Sequence, residues 1–527
     1  MILLCITLMV FLLPTQCLAH QDEELFVNEV YKQLECGELN AIRETIADKQ
    51  LTAQVYELNA AVEFYSGNYR SAGELLTHAK TLFPGTTVYD DTLGYYQKLE
   101  SLTSGMEELT TTHFIVRLDK RDTVLKLYVV NALESVYKNI GKVFNYYPDD
   151  KVLVEFIPEK TEFLLRSTLT EKDVENSGAI AICKFNRLML CSPRITLTGY
   201  RWMDTLAHEY THMVVNRLSR YNCPLWLHEG IARYTDTLWR SEKSLYFQDA
   251  YEDKLAKAVK TGELISFERM APSLVKLKNQ DEVGLAFAEV ANAVDYMIKT
   301  STVTGIIGEL LLKAKVTGMR AAFPAVLGVT QEGFEAQWVE YLKKTKLQEH
   351  PGVAGDKIVF LDTKPGTGEE PENLGGTDVR GHLRLGDKFV LRKLYPAAEQ
   401  QYRAAEELEP ANPVVLLKLA KVLAVNGNLE DAEKRVRFSI ERNPNHGGTY
   451  VFLGDILFAQ KKWSPAAEMY IEALGINPFN PFVHKNLGVC YYSLGNTVSA
   501  KNEWGAALEL NPDDLEVQAI LNRLAKE

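Results

Sequence analysis

His208, Glu209 and His212 stand as His-Glu-x-x-His within Ala207-His208-Glu209-Tyr210-Thr211-His212-Met213-Val214. The apolar residues around them recur with a helical period, and residues four apart on a helix lie nearly one above the other. Two imidazoles so placed hold one metal ion from a single face. The carboxylate of Glu209, one residue along, points past the ion toward its open position, where it can take a proton from water. A catalytic zinc needs three protein ligands and one open position. Glu229 is the candidate third ligand: it lies 17 residues beyond His212, in a second predicted helix within Pro224-Leu225-Trp226-Leu227-His228-Glu229-Gly230-Ile231-Ala232-Arg233-Tyr234. The expectation is one Zn2+ per chain on His208, His212 and Glu229, with Glu209 as general base. A purely structural zinc is the weaker reading, because such sites usually close the fourth position with Cys or His.

This spacing, together with the W-L-x-E-G-x-A pattern at Trp226 to Ala232, resembles the gluzincin peptidases, including the aminopeptidase N and leukotriene-hydrolase group. It is similar in particular to the peptidase MA-like family, whose members often have tetratricopeptide repeats. The resemblance runs from about His113 to Leu342 and includes Gly328-Val329-Thr330 followed by Phe334, Trp338 and Tyr341-Leu342. It implies a zincin-like α+β metallopeptidase domain that hydrolyses a peptide bond, Glu209 accepting the water proton and returning it to the leaving amine.

Two positions depart from the related enzymes. In the aminopeptidase group a strand before the metal helix reads G-A-M-E-N, and its Glu grips the free amine of the substrate. The candidate substrate edge strand here is Gly178, Ala179, Ile180 and Ala181, then Ile182, so endopeptidase action is the better expectation. Those enzymes also have a Tyr at the start of a later helix, whose hydroxyl donates to the oxyanion. The matching segment, Leu285-Ala286-Phe287-Ala288-Glu289, has Phe287, and loss of one such donor typically costs ~10²-fold or more in rate. His228, Tyr234 and Tyr296 are candidate replacements, with ordinary packing as the alternative role of each. Phe287 also keeps a second function open: a catalytically weak or inactive peptidase-like scaffold whose repeats mediate protein–protein interaction. Retention of His208, Glu209, His212 and Glu229 together speaks against that reading.

The elements that must hold these helices can be read on either side. His113 to Leu118 and Val152 to Ile157 read as strands, with an amphipathic helix from about Val124 to Phe144 between them, and Ala179 to Leu190 reads as a hairpin turning near Asn186. From Trp202 helices dominate. Residues 111–346 are therefore expected to form the α+β domain, preceded at 20–110 by an α-helical, possibly repeat-like domain in which Gly67, Ala72, Ala79 and Pro84 match one degenerate helix pair.

Near the carboxyl end Pro410, Pro444, Pro478 and Pro512 recur every 34 residues, as do Ala398, Ala432, Ala466 and Ala500. Leu385, Leu419, Leu453 and Leu487 keep the same interval, with Gly386, Gly454 and Gly488 directly after three of them. Tyr402, Tyr470 and Trp504 share a further position, where the second repeat has Val436. Small residues let two helices approach, large ones fill the gaps and proline ends the second helix. The pattern resembles the tetratricopeptide repeat, in four copies with a cap helix over 380–527, and implies a groove that binds a protein partner. Residues 347–379, rich in Gly, Pro, Glu and Asp, read as a flexible linker.

Bulk composition narrows the function. A 527-residue chain with 46% hydrophobic and 24% charged residues is ordinary multidomain globular protein, and a net charge of -12 excludes a nucleic-acid binder that works by neutralising phosphates. Residues 1–19 hold an uncharged run from Ile2 to Leu13, then Pro14 and Ala19, which reads as a cleaved signal peptide even without a Lys or Arg ahead of the run. Export to the periplasm or the cell exterior, with a bacterial envelope in mind, is the expectation, and no transmembrane segment is expected in the mature chain. Its partners would be a protein or peptide substrate and a protein in the repeat groove. Cys183 and Cys191 flank the predicted hairpin turn, so they could pair across it or stay as two buried thiols.

Overall fold

The computed structural model describes residues 21–525, apart from 48, 50–51, 83, 85–86, 275–276, 351–352, 354–357 and 362–375. The expected signal peptide at 1–19 lies outside the described residues.

Five strands form one sheet: β1 Glu107–Thr110, β2 Phe114–Leu118, β3 Val152–Ile157, β4 Ala181–Lys184 and β5 Arg187–Cys191, in the order β1-β2-β3-β5-β4. β2, β3 and β5 run parallel, whereas β1 and β4 return antiparallel on the two sides. β4 thus ends the sheet on the side of the metal motif. The hairpin between β4 and β5 turns on Phe185 and Asn186, both at φ 54°, the left-handed pair that a two-residue turn matching strand twist demands. The expected strand at Gly178 begins only at Ala181, because Gly178 is spent as the left-handed cap of the preceding Glu171–Ser177 helix. Pairing nevertheless reaches back to Ile180, whose carbonyl accepts from the Cys191 amide at 2.7 Å.

The same ladder decides the cysteine question. Cys183 stands opposite Leu188, whereas Cys191 meets Ile180, an odd number of positions away, so the two side chains leave opposite faces of the sheet. Cys183 packs on the inner core and Cys191 in the outer one, and both are free thiols.

The inner face presents Val116, Val154, Phe156, Leu188 and Leu190 to helix α1 (Lys126–Phe144) and helix α2 (Trp202–Ser219). The outer face presents Ile157, Ile182 and Met189 to helices lying between Gln21 and Thr103. Two of the expected boundaries therefore move. The amino-terminal helices share a core with the sheet rather than forming a domain of their own, and β1, assigned above to the helical segment, already belongs to the sheet. Alternation within each strand is the cause, since a sheet with apolar residues on both faces has to be covered on both.

Helix α3 (Leu225–Thr235) crosses α2, and helix α4 (Gln280–Thr300) packs on α3. Gly230 permits the second crossing: a Cβ there would stand 2.5 Å from the Val290 carbonyl oxygen.

After residue 376 four helix pairs run from Thr377 to Leu510, capped by Leu515–Leu524. The 34-residue pattern has its steric basis here, because a Cβ on Gly386, Gly454 or Gly488 would come within 2.4–2.6 Å of the Tyr402, Tyr470 or Trp504 ring. In the second repeat the smaller Val436 leaves room for Ala420. Helix formation begins at Thr377, earlier than expected, and the preceding segment is no free linker throughout. Leu197 donates its amide to the Val359 carbonyl and Leu361 to that of Ile195, both at 2.8 Å, so residues 359–361 are pinned beside the start of α2.

The repeats also dock directly on the metal-motif domain. Tyr200 donates its amide to the Ile476 carbonyl at 3.0 Å, and Trp202 its indole N–H to that of Leu474 at 3.3 Å. Arg201 pairs with Glu472, and Tyr128 of α1 donates its hydroxyl to Glu503 at 2.8 Å, where His484 also bonds. Only glycine fits at 199, where a Cβ would lie 2.3 Å from the Ile476 carbonyl oxygen at φ +75°.

Candidate metal centre

Helix α2 is buried almost along its whole length: Trp202, Leu206, Ala207, Tyr210, Val214 and Val215 face the core, and His208 and His212 emerge one turn apart toward a cleft. Two polar pairs tie α2 to α3. The Thr211 and Thr235 hydroxyls meet at 3.0 Å, and His228 Nε2 bonds Asn216 Oδ1 at 2.9 Å. With α3 held in this register, Glu229 arrives over the two imidazoles.

The three ligand atoms converge. His208 Nε2 and His212 Nε2 lie 3.0 Å apart, and Glu229 Oε2 is 3.5 Å from the first and 3.4 Å from the second. Tetrahedral ligands about 2.1 Å from a zinc ion stand about 3.4 Å from one another, so these residues fit the metal in kind, number and spacing. Their side chains keep 10–18% of their surface open toward the cleft, which leaves a side for water and substrate. Burial holds the His208 pKa down to about 4, the neutral form a metal requires. Burial opposes the charge of Glu229, but His212 and His208 outweigh it and keep that carboxylate well below its usual range.

Glu209 is 6% exposed and lines the same cleft. Burial pushes it up to about 7; His212 pulls against the rise, Glu229 adds to it, and the backbone of Cys183 on β4 opposes it. A carboxyl group poised near neutrality beside the ligands is suited to accept a proton and give it back.

Phe287, aligned in sequence with the oxyanion tyrosine of related enzymes, lines the cleft. Its ring lies edge-on to that of His208, 6.3 Å between centroids, and faces the cleft. Of the candidate replacements, His228 is 2% exposed and stacks flat on His212 with ring centroids 4.4 Å apart. It packs the His212 ring and, through Asn216, helps to fix the α2–α3 register that places Glu229. Tyr234 and Tyr296 are not at the site. At ~100° per residue, Tyr234 lies about 140° around α3 from Glu229 and Tyr296 about 180° around α4 from Phe287. Tyr234 instead approaches Tyr246, and Tyr296 stacks with Tyr341 and Phe334.

The cleft also holds residues the motifs did not reveal: Asp204 on α2, Asp236, Arg240 and Tyr251 after α3, and Glu441, Asn445, His446 and Tyr450 from the repeats. No motif marks Asp204 one turn before His208 or Asp236 at the end of α3, and the others reach the site from segments outside both helices. Among the described residues one other group has metal-ligand character, Asp249, Glu252 and His350. There Arg442 bonds both Asp249 and His350 Nδ1, so the chain's own guanidinium occupies the place of a cation.

Comparison with known proteins agrees with this architecture. The peptidase MA superfamily matches residues 156–344, and a tetratricopeptide-repeat family matches residues 417–481. Among curated proteins, the human protein O-mannosyl-transferases TMTC3 and TMTC1 are 26% and 30% identical, each over 26% of this chain and 16% of their own length. The small glutamine-rich tetratricopeptide repeat-containing protein 2 of Mycosarcoma maydis is 28% identical over 22% of this chain and 33% of its own. The chain thus spans a third or less of these relatives. Among solved structures, MamA matches with a TM-score of 0.26 and 20% identity, covering 27% of this chain and 83% of MamA. Pseudomonas aeruginosa PilF matches with a TM-score of 0.27 and 21% identity, covering 28% of this chain and 68% of PilF. The two family matches show a peptidase MA superfamily domain within the chain, with tetratricopeptide repeats on its carboxyl-terminal side.

Proposed function

We propose that this protein is a zinc-dependent endopeptidase that hydrolyses protein or peptide substrates outside the cytoplasm, with its repeats engaged in protein binding. The observation behind this reading is the convergence of His208, His212 and Glu229 within 3.5 Å at the side of a cleft, with Glu209 buried beside them. A zinc ion held there would polarise the scissile carbonyl and acidify a water molecule. Glu209 takes the proton of the attacking water and passes it to the amine nitrogen as the peptide bond breaks. β4 borders the cleft without a carboxylate at Ala179, Ile180 or Ala181 to grip a free amine, which favours internal cleavage. The apolar run at the amino terminus supports export.

Metal analysis and cleavage of a panel of denatured proteins test the reading. About one zinc per chain is expected for wild type and much less for Glu229→Ala at equal protein concentration. Glu209→Gln should keep the metal and lose about 10²–10⁴-fold in rate. Unchanged stoichiometry and affinity in Glu229→Ala would remove that residue from the site. The second reading, a weak or inactive scaffold, draws on Phe287, whose ring faces the cleft beside His208 and which aligns in sequence with the tyrosine of related enzymes. It prevails if zinc-loaded wild type cleaves no more than Glu209→Gln.

A further inference from the structure

The cleft beside the metal motif is a cavity of about 1190 Å³, above the ~300–1,000 Å³ typical of small-molecule sites, so its size suits a polymer. One wall is the metal-motif domain, with β4 as a sheet edge able to pair with an extended strand. The facing wall comes from the second and third helix pairs of the repeats: Glu441, Asn445, His446, Tyr450 and Glu472. This wall is anchored at the root of the metal helix. Arg201, which immediately precedes α2, pairs with Glu472 and donates to the Pro444 carbonyl at 2.7 Å and the Tyr450 hydroxyl at 3.0 Å.

The lining has nine carboxylates against four Lys and Arg side chains. Three of those cations are already held within the wall, Arg201 by Glu472, Arg233 by Asp236 and Arg240 by Asp204, and Lys184 donates to the Ser167 carbonyl. With Arg442 pairing Asp249 from outside the lining and a divalent ion added, the carboxylates still outnumber the positive charges, nine to seven. Two of them offer unmet acceptors. Asp236, 1% exposed, has one oxygen without a protein partner, and the exposed Glu441 on the repeat wall enters no ion pair among the described residues.

We propose that the repeats form the second wall of the peptidase cleft, and that the cleft takes an extended polypeptide bearing basic side chains, with Glu441 as a specificity-determining contact. The cleavage part rests on the function proposed above; the binding part does not. The repeats, expected to recruit a separate partner, then contribute part of their surface to reading the substrate itself.

Binding is best measured on full-length Glu209→Gln, which separates recognition from turnover. The probes are labelled, unstructured peptides of about ten residues, alternating Ala with Lys, with Glu or with Ser. Fluorescence anisotropy should show the Lys peptide binding about tenfold or more tightly than the Glu peptide at low salt. Adding Glu441→Lys, a surface change on a helix, should weaken the Lys peptide about threefold to tenfold and strengthen the Glu peptide. Equal affinities for the Lys and Glu peptides, unaltered affinities in the Glu441→Lys variant, or no binding of any peptide would each overturn the proposal. If the Lys peptide binds as expected while zinc-loaded wild type cleaves nothing, the peptidase reading fails and the wall stands. If wild type cleaves but Glu441→Lys leaves every affinity unchanged, the wall fails alone.

Discussion

The two faces of the sheet each bury a cluster of charge, and the clusters differ in who supplies the cation. On the outer face Glu155 of β3 is fully buried and meets Arg166 at 3.4 Å, Arg117 at 3.5 Å and the Tyr69 hydroxyl at 3.0 Å, with Arg187 close behind through Tyr69. Burial alone would raise its pKa, but Arg166, Arg187 and Arg117 bring it below the usual carboxylate value. On the inner face His208, His212 and Glu229 bring three acceptor atoms together with no Lys or Arg among them. A buried anion closed by arginines is part of the fold. On the function proposed above, the inner set of acceptors is completed by a metal ion rather than by a Lys or Arg side chain.

Removing the carboxylate from the closed cluster is the largest test of this difference. Glu155→Ala leaves Arg166 and Arg187 buried without their anion and should lower the unfolding free energy by about 3–5 kcal/mol in a urea titration. A cost under about 1 kcal/mol would mean that the arginines do not depend on Glu155, and the comparison would collapse.

Asp236 tests the cleft side through pH. Burial pushes it up to about 7, with Arg233 pulling the other way, whereas an exposed aspartate titrates near ~3.9. The folded state therefore binds this proton more tightly than the unfolded state. The stability it contributes is fully present below about pH 4 and is lost as pH rises through 7. Asp236→Asn should gain on wild type across that window, by on the order of 2 kcal/mol between pH 5 and pH 8 in paired denaturant melts. A pH-independent difference would show that Arg233 already satisfies the carboxylate, making it a closed site like Glu155.

The smallest expected effect is at Phe287. Phe287→Tyr puts a hydroxyl on the ring that faces the cleft beside His208, and a tenfold rise in kcat/KM, about 1.4 kcal/mol, would show that the open cluster lacked one donor. Tyr296→Phe measured alongside should change nothing, since Tyr296 packs behind α4. No gain from Phe287→Tyr would place the oxyanion donor elsewhere in the cleft, with Tyr251 the next residue to test.

What the sequence determined by itself was local. Spacing of four residues on a helix put His208 and His212 on one face, the short apolar runs of β2 and β3 announced the sheet, and the 34-residue interval announced the helix pairs with their Gly-to-ring contacts. Each of these follows from backbone period, which depends only on neighbours along the chain. The candidate site was legible to the same extent: the convergence of His208, His212 and Glu229 beside Glu209 was readable, whereas the choice among His228, Tyr234 and Tyr296 was not. Tertiary structure decided that choice by rotation about α3 and α4. It also decided that the amino-terminal helices cover the sheet, that Cys183 and Cys191 point apart, and that the repeats wall the cleft. The cysteines follow from the hairpin register, but the wall depends on packing between segments hundreds of residues apart, such as Arg201 on Glu472 and Tyr200 on Ile476, where the partners share no period and the contact leaves no pattern in either segment.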